Sequence, residues 1–106
     1  MPIEPDVVVS EGDARFHALL RELGELHAKK AHDYGRGGDP LANLRGSAEW
    51  GVPPWRGALI RLGDKVHRLK SFSQNGNLAN EGVVDSLMDL AAYALLVVIL
   101  LGEEKS

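Results

Sequence analysis

Residues 80–101 read NEGVVDSLMDLAAYALLVVILL, the most hydrophobic run of the chain and the carrier of its least expected charges. Glu81, Asp85 and Asp89 recur every four residues, so on a helix of about 3.6 residues per turn they drift slowly around the axis and share one face. Asp89 lies between Leu87-Met88 and Leu90-Ala91-Ala92, where an ionised carboxylate is costly unless a cation or hydrogen-bond donors meet it. Such a helix requires counter-charge from elsewhere in the chain.

At 106 residues, 44% of them hydrophobic, the chain fits one soluble domain with one small core. The formal net charge of −3 and a pI near 5.7 argue against a protein that lives on nucleic-acid backbone, while free nucleotides stay compatible. Cysteine is absent, so neither a disulfide framework nor thiolate chemistry is available, and a cytoplasmic setting is expected. The N-terminal MPIEPDVVVSEGD lacks the basic-then-apolar layout of a signal peptide. The run 90–101 is apolar apart from the Tyr93 hydroxyl, but its twelve residues fall short of the roughly 20 that span a bilayer. It reads as a core or subunit-interface helix, with no membrane partner.

The first residues form an extended arm, 1–12, because Pro2 and Pro5 oppose helix and Val7-Val8-Val9 favours extended backbone. Ser10 with Asp13 resembles a capping arrangement and opens a helix over about residues 13–32, ended by Gly35, whose stripe Phe16, Leu19, Leu20, Leu23 and Leu26 fits one buried face. From 35 to 54, GRGGDPLANLRGSAEWGVPP holds five glycines and three prolines. It is a long connection of the kind that forms binding loops, with a short helix over about residues 40–50 started by Asp39-Pro40. A second long helix spans about residues 55–72, with Leu59, Leu62, Val66 and Leu69 as its core stripe, and QNGN at 74–77 makes a turn. Asn80 caps the last helix. The expected fold is all-α: three long helices and one short one in a single domain over residues 13–106. Three helices cover a core poorly and the last is apolar almost all round, so a homodimer or homotetramer is expected to complete the bundle.

Two constellations on these helices suit phosphate chemistry. Asp85 and Asp89 at i, i+4 can hold one divalent ion, and hard oxygen ligands suit Mg²⁺ or Mn²⁺, with Asp64 on the facing helix a plausible third ligand. Arg61, Lys65 and Arg68 share a face of that helix and would meet the non-bridging oxygens of a polyphosphate. Each has a plainer reading: Asp64 with Arg68 as a solvated helix bridge, Glu81 and Asp85 as dipole or surface partners, and Asp89 as a buried ion pair with a basic residue of another helix. At the end of the first helix, KKAHDYG (29–35) aims a cation (Lys30), an acid (Asp33) and a ring (Tyr34) into one space. The His32-Asp33 doublet also evokes metal phosphohydrolases of the HD type, for which the chain is short. Glu22-x-x-Glu25 is an ExxE string, but Glu25 with Lys29 is equally an i, i+4 bridge.

HAKKAHDYG, NLRGSAEWG, RLGDKVHRLKSF and NEGVVDSLMDLAAYALL, in this order over about residues 27–100, resemble a family of small, largely phage-borne proteins. That family lies within the MazG-like all-α nucleoside triphosphate pyrophosphohydrolases and is also called nucleotide-modification-associated domains. The resemblance implies Mg²⁺-dependent cleavage of a (deoxy)nucleoside triphosphate between its α and β phosphates, releasing monophosphate and pyrophosphate. It implies a metal on Asp85 and Asp89, with Asp64 and Glu81 beside them, and phosphates neutralised by Arg61, Lys65, Arg68 and Lys30. Asp64, Asp33 and Lys65 would serve the reaction itself, Asp33 orienting water or sugar. Tyr34, Asn43, Trp50 and Trp55 would recognise the base. The chain departs from the superfamily's paired ExxE and ExxD helices: Asp64 is the one acid on the second long helix, and Glu22-x-x-Glu25 lies too far upstream for the usual gap. That departure leaves two other readings open, a nucleotide-binding protein without turnover and a purely structural oligomer.

Overall fold

The computed structural model describes residues 11–34, 41–76 and 82–105, with the side chains of Asp33, Tyr34 and Lys105 outside that description. Four α-helices follow in order: α1 (Ala14–Tyr34), α2 (Ala42–Arg45), α3 (Pro54–Asn75) and α4 (Val83–Lys105), with a 3-10 turn at Gly46–Trp50 between α2 and α3. The described residues contain no strand. The fold is all-α.

Asp13 starts α1. Its Oδ1 accepts the Arg15 backbone N–H at 2.8 Å, and the Arg15 guanidinium donates back to both carboxylate oxygens at 3.0 and 2.6 Å. The side chain thereby satisfies one of the amides that a helix start leaves unpaired. Ser10, the arm up to residue 10, Gly35, Asp39-Pro40 and Asn80 lie outside the described residues.

The short helix expected over 40–50 divides into α2 and the 3-10 turn. Ser47 is the reason: its hydroxyl donates to the carbonyls of Leu44 and Val52 at 3.4 and 3.0 Å, offering the backbone an alternative to continued α-helix. Gly51, at φ +75°, ends the turn in the left-handed region. α3 opens on Pro54, whose fixed φ and missing N–H suit a first helical position. It closes on Gly76, at φ +78°, whose N–H reaches the Phe72 carbonyl at 2.7 Å.

α3 and α4 form the main packed pair. The core is Leu41 and Leu44 from the connection, Ala58 from α3, and Val97 and Leu100 from α4, with Trp55, Tyr93, Leu96 and Leu101 packed around it. Gly57 lets the connection sit close on α3, since a Cβ there would lie 2.8 Å from the Ser47 hydroxyl oxygen. Arg45 donates to Glu103 at 2.7 Å and ties α2 to the end of α4.

The core stripes expected from periodicity are only partly buried. On α1, Leu23 is buried while Phe16, Leu19, Leu20 and Leu26 stay exposed. On α3, Ala58 is fully enclosed, Leu62 and Leu69 are half-buried, and Leu59 and Val66 are exposed. The cause is geometric: α1 touches α4 lightly, and among the described residues no further layer covers these faces. Val84, Leu87, Leu95, Val98 and Ile99 likewise form an exposed face of α4, opposite its buried side. Val83–Glu104, with mean hydropathy 2.1, is the one described helical segment long and apolar enough to cross a membrane by length and composition.

Candidate functional site

α1, the connection, α3 and α4 enclose an open cleft of about 420 Å³. From α1 come Leu23, His27 and Lys30, spaced one helical turn apart so that one face looks into the cleft. Arg61 and Lys65, four apart on α3, share a wall. α4 contributes Met88, Asp89, Ala92, Tyr93 and Leu96, and the connection adds Leu41, Asn43 and Leu44. The lining mixes apolar side chains with four charged ones, Lys30, Arg61, Lys65 and Asp89.

Asp89 is the centre of those charges. Its Oδ1 accepts from Lys30 Nζ at 3.0 Å and its Oδ2 from Lys65 Nζ at 2.9 Å, so one carboxylate of α4 joins α1 and α3. Lys65 is 17% exposed and Asp89 23%, against 59% for Lys30. Burial pushes the Asp89 carboxyl up, but the hydrogen bonds from Lys65 and Lys30 and their positive charges outweigh it and hold its pKa below the ordinary value. The counter-charge that an acid among apolar neighbours requires is supplied by two lysines of two other helices, which is the plainer of the two readings of Asp89.

Lys30, Asn43, Arg61, Lys65 and Asp89 are brought together in the cleft. Asp64, Arg68, Asp85, Trp50 and Trp55 do not line it. Asp64 and Asp85 are exposed, Asp85 in the first turn of α4 where a negative charge suits the helix dipole. Trp50 is 85% exposed. Trp55 packs on the core with the Arg56 guanidinium 5.1 Å from its ring centre, and its buried Nε1 has no hydrogen-bond partner among the described residues. Glu81 and the side chains of Asp33 and Tyr34 lie outside the described residues.

These positions bear directly on a metal. Among the described residues no three His, Asp or Glu side chains come close enough to hold an ion. Asp89, the least exposed carboxylate among the described residues, has both oxygens engaged by ammonium groups. As arranged, the described residues do not fit a Mg²⁺ or Mn²⁺ ion, which needs several oxygen ligands at close to octahedral geometry.

Tyr93 and His27 line the cleft although periodicity alone did not single them out. The signal was present: Tyr93 stands four residues after Asp89, and His27 three before Lys30, each on the face of a residue already suspected. Comparison with models of protein families, with curated proteins and with solved structures finds no match for this chain.

Proposed function

We propose that the chain binds a nucleoside triphosphate in the cleft, and that it is a (deoxy)nucleoside triphosphate pyrophosphohydrolase of the MazG-like kind that works as a homo-oligomer. One observation carries the binding half: Lys30, Arg61 and Lys65, from two helices, line one cleft of about 420 Å³ together with apolar residues of α1, the connection and α4. That volume lies within the roughly 300–1,000 Å³ of small-molecule sites. Ammonium and guanidinium groups suit a phosphate chain, while Tyr93, Met88 and Asn43 offer a ring face, a soft apolar surface and an amide to a base.

The hydrolytic half rests on the resemblance of the four sequence segments to the MazG-like family. In that reaction a water oxygen bonds to the α phosphorus and pyrophosphate leaves with the bridging oxygen. The engagement of Asp89 by two lysines favours a second reading, a nucleotide sensor that binds without turnover. The oligomer is supported by the exposed apolar faces of α1 and α4, and α4 is then an assembly helix with an acid on the cleft-facing side of its N-terminal third.

Incubation of the purified protein with each (d)NTP and Mg²⁺, following monophosphate and pyrophosphate, separates the readings. Release of both products in equal amounts, lost in Lys65→Met, supports the hydrolase. Binding without products supports the sensor. A protein that binds no nucleotide overturns both and leaves a structural oligomer.

A further inference from the structure

The cleft contains its own anion. Counting the ionised groups on its wall, Lys30, Arg61 and Lys65 against Asp89, leaves a surplus of two positive charges. The two lysines are not idle, because each donates to one oxygen of Asp89, at 3.0 and 2.9 Å. A free divalent cation approaching Asp89 would have to displace both ammonium groups and would then face them at short range, unscreened by solvent on the Lys65 side. A polyphosphate meets the opposite situation. It carries several charges and many acceptor oxygens, so it can take over both lysines and hydrogen-bond them at least as well as one carboxylate does. The cost is a half-buried Asp89 carboxylate left without its two lysines, which the phosphate contacts must outweigh.

We propose that Asp89 is an internal competitor for the phosphate site: a polyphosphate binds by exchange, taking Lys30 and Lys65 from Asp89. The proposal rests on the reading of the cleft as a phosphate site and adds how the anion enters it. Asp89 has two roles in succession, counter-ion of the empty cleft and negative group beside the bound phosphate.

The exchange has an unusual signature without metal. In EDTA, removing the Asp89 charge should strengthen phosphate binding, because the lysines lose their competitor. Calorimetric titration of inorganic pyrophosphate in EDTA should show Asp89→Asn binding about tenfold tighter than the unaltered protein, and Lys65→Met binding weaker than either. Circular dichroism checks that Asp89→Asn is folded. A second measurement uses the unaltered protein alone: the ¹³C resonance of the Asp89 carboxylate should move on addition of pyrophosphate in EDTA and stay in place on addition of Mg²⁺ by itself. If pyrophosphate binds but Asp89→Asn is no tighter, or if Mg²⁺ alone shifts that resonance, the exchange is wrong and the nucleotide reading survives. If neither pyrophosphate nor any (d)NTP binds, both fall.

Discussion

The Lys30–Asp89–Lys65 triad allows a quantitative test, because its two arms have nearly equal lengths, 3.0 and 2.9 Å, and unequal exposure. Lys65 and Asp89 are 17% and 23% exposed, whereas Lys30 is 59% exposed. Hydrogen bonds to charged groups shielded from water contribute about 1.5–3 kcal/mol net, while solvent-exposed ion pairs contribute about 0–1 kcal/mol. Lys65→Met should therefore destabilise the fold by about 2 kcal/mol and Lys30→Met by about 0.5 kcal/mol. Paired with Asp89→Asn in double-mutant cycles, the Lys65 arm should show a coupling of about 1–2 kcal/mol and the Lys30 arm less than about 0.5 kcal/mol. Urea unfolding followed by circular dichroism measures all six proteins. It should be run at one protein concentration, because subunit association would otherwise shift the midpoints. Repeating the cycles in about 1 M salt should erase the Lys30 coupling and spare most of the Lys65 coupling, since screening acts on the exposed pair. Equal couplings for the two arms, or an Asp89→Asn variant as stable as its parent, would refute the assignment of Asp89 as the charge hub.

Two further outcomes follow from the same geometry. The Asp89 pKa is depressed in the folded chain, so the stability it contributes is fully present above the unfolded carboxylate value of about 3.9 and is lost as pH falls through the lower folded value; an acid titration of urea midpoints should show this loss in the unaltered protein and a shallower one in Asp89→Asn. Leu95 and Val98 lie on the exposed face of α4, so Leu95→Glu should reduce the sedimentation mass of an oligomer while leaving helix content unchanged; an unchanged mass would remove α4 from the subunit interface.

Much of the local structure was legible because it depends on near neighbours. Asp13 as a helix start and a turn after the second long helix are effects of one or two turns of backbone, although α3 begins one residue earlier than expected, at Pro54, and runs on through Asn75 before Gly76 ends it. The division of residues 40–50 was not, because it depends on which carbonyls the Ser47 hydroxyl reaches once Val52 has folded back beside Leu44. The stripes of α1 and α3 were correct as stripes and mistaken as inventories of the core. Periodicity reports that a face is apolar, not that something in the same chain covers it.

The same division runs through the cleft. Sequence by itself determined that α4 carries an acid among apolar residues and that α3 carries a cationic row, since both follow from helical spacing and the cost of an unpaired buried charge. It therefore determined that Asp89 needs partners. Only the tertiary structure decided which ones, because Lys30 is 59 positions away and Lys65 is on another helix, and their approach depends on how α1 and α3 pack against α4. It also decided that Asp64, Asp85, Trp50 and Trp55 stay off the cleft wall. An acid and a base on facing helices are compatible with a metal site or with a salt bridge, and only the distances between their atoms distinguish the two.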